Sequence, residues 1–353
     1  MPSPETPTKE VGEARPELRH VALTPEGPQL RPGLAWSPRH PAGVMVRPLV
    51  LGICRSDYKE AARQRQGASQ FGHEVVGEVV ARWGKAPFEV GEWVCLDPNR
   101  PLNRGTAFAD LMPADGTEQE LREALHRVPG SVRLERAVFA EPLACAVHCL
   151  DRVTRALGGE VSGSEVLVVG AGIAGTLIAL SAQAAGATVS LRNAGVDKLE
   201  FLRTTGLLPA GALGQDEPPR TPPEAIVLAT AFIEARWLRW ALDTVAPDGV
   251  ILLYGGTQAT DRFTEAGVAL ELDPLRRQEG TAHVRWGQKN LTVAGSYGTE
   301  PSCFERGLRW LAAPDTTWAL ERLVLRRIGL TELPVELRAE GPRARPGKVL
   351  VVP

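Results

Sequence analysis

The chain has 353 residues, of which 43% are hydrophobic and 23% charged, and its formal net charge is −2. These values are typical of a globular protein with two domains, and the balanced charge excludes the strong basic field that nucleic-acid binding requires. Five cysteines without a paired framework indicate free thiols in a reducing compartment, which predicts a cytoplasmic protein.

The N-terminal segment 1–16 is rich in Pro and Glu and lacks the basic start and apolar run of a signal peptide, so we expect it to be disordered. An uncharged window at 166–189 has the length of a membrane span. Its VLVV run, however, meets a glycine turn and then Ala-rich helical sequence, which is typical of a buried strand that leads into a helix. The sequence therefore predicts no membrane segment.

The first third of the chain is predicted to be rich in strands. Its segments 43–57, 73–84 and 90–98 contain β-branched runs that are interrupted by glycine. From Glu141 the pattern becomes helical, and Pro142 stands in the first turn, where its missing N–H is tolerated. Strands and helices then alternate with short turns, which predicts a doubly wound parallel sheet. The strands of this unit are 165–170, 187–192, 224–230, 249–256 and 290–298, and its helices are 175–186, 197–206 and 235–246.

The alternating unit, residues 146–291, is predicted to be a domain inserted into a β-rich domain made of 17–145 and 292–353. The second piece is assigned to the β-rich domain because the closing stretch GKVLVVP at 347–353 is a lone strand after the alternating unit. The predicted fold class is therefore α/β, with a nucleotide-binding type of parallel sheet beside a β-rich domain.

A glycine turn opens the alternating unit, since Gly170, Gly172 and Gly175 fit the pattern G-x-G-x-x-G. The pattern follows a predicted strand and begins a predicted helix, which is the context that dinucleotide binding requires. The first glycine makes the turn, the second admits a pyrophosphate, and the third packs helix on strand with the helix N-terminus facing the anion. The turn, with Ile173 and Ala174, predicts an NAD(P) site; the alternative is a glycine-rich turn in an apolar sheet.

Selectivity between NAD and NADP is expected at the end of the next strand. Arg192 and Asn193 stand there, with Lys198 a few residues later, where NAD enzymes usually place a carboxylate. Asparagine does not repel a 2′-phosphate and the two cations attract it, so the sequence favours NADP. In the alternative, Asn193 binds the ribose of NAD and both cations are surface charges.

A candidate metal site lies earlier in the chain, where His73 and Glu74 follow Cys54 after a loop. A catalytic zinc takes three ligands from Cys, His and carboxylate and keeps one position open. Cys54, His73 and a glutamate supply that mixture, and Asp57 would accept the second ring N–H of His73 and fix its orientation. The alternative is a buried thiol and a core histidine without a metal.

The segments GICRSD (52–57) and GHE (72–74), followed by the glycine turn, resemble the zinc-dependent medium-chain dehydrogenases, the alcohol and sorbitol dehydrogenase superfamily, along 46–352. The stretch AEPLACAVHC at 140–149 is similar to the polyol branch, where the Glu of EPL occupies the place of a second cysteine ligand. The resemblance implies a GroES-like catalytic domain, a Rossmann domain and a small-molecule alcohol or ketone as substrate.

The resemblance also implies roles for single residues. Ser56 matches the family's hydroxyl relay for the substrate proton, or is a turn residue; Arg55 matches an arginine that binds pyrophosphate, or is a surface side chain. Ser56, Asp57 and Glu74 are the predicted catalytic residues. The two glutamates bind the metal together, alternate, or hold a water between them, and the predicted ligands are Cys54, His73, Glu74 and Glu141.

The chain departs from the family at the structural zinc. Many relatives carry four close cysteines after the strand that corresponds to 90–98, whereas 99–130 contains none. One catalytic zinc and no structural zinc are therefore predicted, and the family's oligomer contacts do not carry over, which leaves a homodimer open. We expect the segments 58–71 and 99–130 to shape the substrate pocket.

Two further residues near Glu141 have side chains that bind metals. His148 lies about 10.5 Å from Glu141 along the predicted helix, too far to share an ion. Cys145 is one turn from Glu141 and could approach the site, although core packing is the favoured interpretation.

The leading functional hypothesis is a zinc-dependent dehydrogenase that interconverts a polyol-like, sugar-like or cyclitol-like secondary alcohol and its ketone by hydride transfer with NAD(P). Zinc would act as a Lewis acid that favours alkoxide over alcohol. One alternative is an epimerase that oxidises a carbinol transiently with bound cofactor, which stoichiometric cofactor turnover would exclude. Another is a non-catalytic or zinc-free nucleotide-binding member of the fold, which zinc content would test.

Overall fold

The computed structural model describes residues 18–34, 36–64, 69–215, 217–313, 318–339 and 345–353, so the predicted tail at 1–16 lies outside the described residues. The α-helices of the described part are α1 Arg55–Ala61, α2 Glu118–Ala124, α3 Leu134–Ala137, α4 Ala140–Leu157, α5 Ile173–Ala184, α6 Val196–Thr205, α7 Ala235–Thr244, α8 Leu272–Arg277, α9 Pro301–Ala312 and α10 Leu333–Arg338. The strands are β1 Arg19–Thr24, β2 Gly27–Pro32, β3 Gly43–Gly52, β4 Glu74–Trp83, β5 Trp93–Leu96, β6 Asn103–Arg104, β7 Met112–Asp115, β8 Leu125–Arg127, β9 Glu165–Val169, β10 Thr188–Arg192, β11 Leu213–Gly214, β12 Ala225–Leu228, β13 Val250–Leu253, β14 Arg262–Glu265, β15 Val268–Glu271, β16 Thr281–Trp286, β17 Lys289–Gly295, β18 Val324–Gly329 and β19 Lys348–Val352.

The alternating half of the chain forms a seven-stranded sheet in the order β11-β10-β9-β12-β13-β17-β16. All its neighbours are parallel except the β16–β17 pair at one edge, which the sequence pattern did not predict. Only residues 287 and 288 join these two strands, and a connection that short permits only antiparallel pairing. The central strands β9, β12 and β13 are buried apolar runs, as expected for a sheet covered on both faces.

The first half of the chain forms a mixed sheet in the order β18-β19-β3-β4-β5-β8, with β7 also paired to β3. The C-terminal strand β19 pairs antiparallel with β3, where Val351 lies opposite Leu51. This pairing brings the end of the chain beside the segment that follows β3, and it therefore decides which side chains surround Cys54.

The helix α4 lies between the two halves, and its side chains are buried over most of its length. The window at 166–189 forms β9 and α5, as predicted. Among the helices of the described residues, none has both the length and the apolar character that crossing a bilayer requires. The predicted domain boundaries, 145/146 and 291/292, fall within α4 and β17, so we propose that the two domains share these elements as their junction.

Candidate active site

Cys54 precedes the first residue of α1, and its position is set by Asp57 one turn further on. The Asp57 carboxylate is fully buried and accepts hydrogen bonds from the backbone N–H of Cys54 at 2.8 Å and of Gly72 at 3.0 Å. Burial raises the pKa of Asp57 to about 6. Asp57 thus ties together the two segments that carry Cys54 and His73.

The imidazole of His73 is held by a backbone carbonyl rather than by Asp57. Its Nδ1–H donates to the Gln70 oxygen at 2.9 Å, whereas the nearest Asp57 oxygen is 3.7 Å from Nδ1. The ring therefore does not make the predicted hydrogen bond to Asp57, because Nδ1 has a single proton and the Gln70 carbonyl is the nearer acceptor. With the proton on Nδ1, the His73 Nε2 lone pair is available to a metal.

Glu74 is bound on both carboxylate oxygens by a buried lysine. Lys348, at the start of β19, donates to Oε1 at 2.7 Å and to Oε2 at 2.5 Å. The carboxylate packs so closely on Gly52 that a Cβ there would lie 2.1 Å from Oε2, which explains the glycine at that position. Glu74 and Lys348 therefore form a neutral buried pair beside Cys54.

Glu141 lies at the start of α4, buried beside the same cluster. Burial raises the pKa of Glu141 to about 7, while the charge of His73 opposes that shift. Its one side-chain hydrogen bond among the described residues comes from the Cys145 thiol, at 3.4 Å. Cys145 thus approaches the site as a partner of Glu141.

These side chains make a donor set suited to zinc. The ligand atoms of Cys54, His73 and Glu74 all lie within 4.8 Å of one another. Thiolate, imidazole and carboxylate are the donors that a catalytic zinc takes, so the residues present fit the ion. The sequence left open whether Glu74 or Glu141 binds the metal. In the structure, Glu74 can bind a metal only if Lys348 releases its carboxylate.

Ser56 is the second residue of α1, two positions after Cys54, and it does not line the nucleotide cavity. Its Oγ is buried and has no hydrogen-bond partner among the described residues. A buried hydroxyl without a partner is costly, which indicates that an absent group supplies the hydrogen bond.

The glycine turn lines a cavity of about 720 Å³ that also reaches Cys54 and Glu141. A Cβ at Gly175 would lie 1.9 Å from the Gly170 oxygen, so the turn and the first turn of α5 require glycine there. At Gly172 a Cβ would meet nothing within 4 Å, so this position faces open space. The turn, with Ile173 and Ala174, thus offers a helix N-terminus to an anion in the cavity.

Of the residues expected to select between NAD and NADP, some line the nucleotide cavity and one does not. Asn193, Lys198 and Arg55 line this cavity, whereas Arg192 does not line it. The Arg192 guanidinium instead donates to the Ala212 carbonyl at 3.2 Å. The Asn193 side chain accepts from the backbone N–H of Ala171 at 3.1 Å, and so braces the turn.

Several residues of the site were not found from the sequence. Lys348 was seen only as part of a closing strand, although a lysine that begins an otherwise apolar run was an available signal. Lys59 and Arg345 also line the nucleotide cavity. No sequence spacing connects Lys348 to Cys54, because β19 reaches the site through its pairing with β3.

His148 lies in α4 but faces away from the cluster. Its Nε2 is 2.6 Å from Glu279 Oε1, and the Cys303 thiol is 3.9 Å from Nδ1. Burial lowers the pKa of His148, but the hydrogen bonds with Cys303 and Glu279 outweigh burial and raise the pKa to about 9.

We expect His148→Gln to destabilise the protein most at low pH. The pKa of His148 is about 9 in the folded protein and about 6.5 in an unfolded chain, so its stabilising contribution is complete below about pH 6.5 and is lost as the pH rises through about 9. Urea unfolding of both proteins at about pH 6, 7.5 and 9.5 measures this difference. A difference that stays constant with pH would contradict the charged pair.

No family model matches the chain. Among curated proteins, the D-altritol 5-dehydrogenase of Agrobacterium fabrum (strain C58) is 30% identical over 237 residues, which are 61% of this chain and 69% of that protein. The sorbitol dehydrogenase of Bombyx mori is 28% identical over 169 residues, 41% of this chain and 47% of that protein, so this alignment spans about half of the relative.

Among solved structures, a zinc-binding dehydrogenase from Sinorhizobium meliloti 1021 bound to NADP has a TM-score of 0.73 at 19% sequence identity. The match covers 96% of this chain and 100% of that one. At this identity the likeness shows a common fold, and it confirms the predicted fold class.

Proposed function

The chain belongs to the medium-chain dehydrogenase/reductase superfamily of zinc-type alcohol and polyol dehydrogenases, and we propose that it interconverts a polyol-like secondary alcohol and its ketone, with one catalytic zinc and NAD(P). The observation that carries the proposal is the cluster of Cys54, His73 and Glu74, with Glu141 on the same wall, which opens onto the cavity of the glycine turn. Zinc in such a cluster would act as a Lewis acid on the substrate oxygen.

For the metal we propose the ligands Cys54, His73 and Glu141, although the carboxylate that lies within 4.8 Å of the other two in this structure is that of Glu74. Both oxygens of Glu74 are bound by Lys348, and withdrawing them would leave a buried ammonium unpaired. Glu141 has only a weak thiol hydrogen bond to lose. The negative charges of the Cys54 thiolate and the Glu141 carboxylate then neutralise the two positive charges of the zinc ion, while the pair of Glu74 and Lys348 stays neutral.

The protein's own groups have three tasks in this reaction. Asp57 and the Gln70 carbonyl hold Cys54 and His73 in position. We assign a proton relay to Ser56, whose unpartnered Oγ would take up the proton of the substrate hydroxyl while its own hydroxyl proton leaves towards solvent. The turn at Gly172 would hold the pyrophosphate of the cofactor, which would supply the hydride acceptor.

We further propose that the cofactor is NADP. Burial lowers the pKa of Lys198, and the positive charge of Arg55 lowers it further, so two cations lie close together at the cavity wall. A 2′-phosphate would neutralise them, and Asn193 would not repel it. Asp197 also lines this wall, at the start of α6, and its carboxylate would oppose the phosphate, so the proposal requires the two cations to outweigh it.

Lys198→Ala is expected to raise the KM for NADP about tenfold while that for NAD changes little, since one charge-assisted hydrogen bond to the phosphate is lost. Steady-state kinetics with both cofactors measures the ratio. Lys85→Ala, outside the residues that line the cavity, is the matched control. Equal changes for NAD and NADP would contradict a phosphate contact.

The function itself is tested with a panel of polyols, amino sugars and simple alcohols, read at the nicotinamide absorbance with NAD and with NADP. We expect secondary alcohols of polyols to be oxidised, with one cofactor reduced per substrate. Faster turnover of simple primary alcohols would contradict the polyol assignment, and product formation without net cofactor reduction would favour the epimerase.

A further inference from the structure

A second cavity, of about 850 Å³, lies on the other side of the His73 segment and has no role in the reaction as described so far. Its walls come from segments far apart in the chain, namely 20–23, 69–71, 98–106 and 297–299, with Arg277. Two of these segments belong to the regions expected to shape a substrate pocket.

The formally charged side chains on its walls are all cationic. Arg100, Arg104 and Arg277 line the cavity, and its described wall residues include no Asp or Glu. Two counter-charges lie behind the wall, since Asp97 is 3.6 Å from the Arg100 Nε and Asp273 is 2.8 Å from the Arg277 Nε. The cavity therefore presents a positive surface to whatever enters it.

Arg104 differs from the other two arginines because it makes no ion pair among the described residues. Its guanidinium donates to backbone carbonyls, of Gly105 at 2.9 Å and of Gln70 at 3.1 Å, and no carboxylate lies within ion-pair distance among the described residues. Burial lowers the pKa of Arg104 to about 10, which still leaves it charged at neutral pH. The carboxylates of Asp57 and Glu60 act on this charge only from beyond ion-pair distance, so an anion in the cavity would be its direct partner.

This positive wall adjoins the metal cluster. The Gln70 oxygen accepts from Arg104 Nη2 at 3.1 Å and from His73 Nδ1 at 2.9 Å, so these two nitrogens are at most about 6 Å apart. The Tyr297 ring joins the two cavities on the other side, because Arg276 of the nucleotide cavity and Arg277 of this one both lie over it.

We propose that the second cavity is a subsite for an anionic group, a phosphate monoester or a carboxylate, on the polyol substrate, an inference that rests on the proposed function. A planar guanidinium binds either anion through two parallel hydrogen bonds, whereas hydroxyl groups of a neutral polyol do not call for three cations. The preferred substrates are then sugar-alcohol phosphates or sugar acids.

The test uses inorganic phosphate first, because its binding does not depend on turnover. Titration calorimetry is run on the zinc-loaded protein, on Arg100→Gln and on Arg277→Gln. Arg122→Gln is the matched control, since Arg122 is exposed on α2 and pairs only with Glu118 in the described part of the chain. We expect phosphate to bind, each cavity variant to weaken binding about tenfold, and the control to leave it unchanged.

Kinetics then connects the subsite to the substrate. Sorbitol, sorbitol 6-phosphate and gluconate are compared at a fixed cofactor concentration. We expect sorbitol 6-phosphate, gluconate or both to be oxidised with a higher kcat/KM than sorbitol. The comparison of the two anionic compounds shows whether the subsite prefers a phosphate or a carboxylate. In Arg277→Gln the KM for the preferred anionic substrate should rise about tenfold, while the KM for sorbitol should stay the same. In the unchanged protein, inorganic phosphate should inhibit competitively with respect to the anionic substrate.

The two proposals fail separately. The anion subsite would be overturned, even in an active dehydrogenase, if phosphate did not bind. It would also be overturned if Arg122→Gln weakened phosphate binding as much as the cavity variants do. A preference for neutral sorbitol, or inhibition by phosphate that does not compete with the alcohol, would also overturn it. Phosphate binding without oxidation of any alcohol would instead overturn the proposed function, and with it the assignment of the cavity to a substrate.

Discussion

Replacing Cys54 with serine is expected to abolish zinc binding and to lower kcat/KM by about a thousandfold or more. The reason is that a neutral hydroxyl replaces the thiolate, and the Lewis acid on the substrate oxygen contributes several kcal/mol to catalysis. Zinc content by mass spectrometry and steady-state kinetics on the same preparation measure both losses.

Cys303→Ser is the matched control for this experiment. Cys303 is buried, whereas Cys54 is half-buried; its thiol lies 3.8 Å from Asp151 Oδ2, a partner that a serine hydroxyl can keep, and it lines neither cavity. We expect this variant to keep its zinc and its activity. Full zinc occupancy in Cys54→Ser would show that the ion is held by other ligands, and the proposed chemistry would be wrong.

Lys348→Met is expected to lower the free energy of unfolding by about 3–5 kcal/mol, because it leaves the Glu74 carboxylate buried without its cation. Lys348 is 4% exposed and Glu74 is 1% exposed, so water cannot replace the ammonium. Urea denaturation, with zinc content checked on the same samples, measures the loss.

The double variant Lys348→Met with Glu74→Gln separates the pair from the lysine alone. Removing both charges removes the unpaired carboxylate, so we expect most of the lost stability to return. If the double variant is as unstable as the single one, the ion pair is not the cause. If the double variant also keeps zinc and activity, the ligand set with Glu141 is supported over one with Glu74.

Most elements that carry the site follow from local sequence patterns. The β-branched run before Gly170, the three glycines and the helical stretch after them predict β9, the turn and α5, because each depends on neighbours within a few residues. The edge strand β16 and the hairpin of β14 and β15 were not predicted. Their pairing partners, rather than a strong pattern of their own, define them.

Side-chain geometry at the site was predicted less well. The spacing of Cys54, Asp57 and His73 indicates that they lie together, but it does not indicate which atoms of Asp57 are already engaged. In the structure the Asp57 oxygens accept backbone N–H groups, and the single Nδ1 proton of His73 goes to the nearer Gln70 carbonyl. Ring orientation depends on which acceptor lies nearer to that proton, which a linear pattern does not contain.

The amino-acid sequence by itself determined the family, the α/β class and the nucleotide turn, together with Cys54, His73 and the two glutamates as candidate ligands. Tertiary structure alone decided that Lys348 binds Glu74 across 274 residues of chain, and that three arginines share one cavity. The physical reason is range: propensity, turn chemistry and ligand spacing act between neighbours, whereas charge pairing and cavity walls arise only after sheet pairing has brought distant segments together.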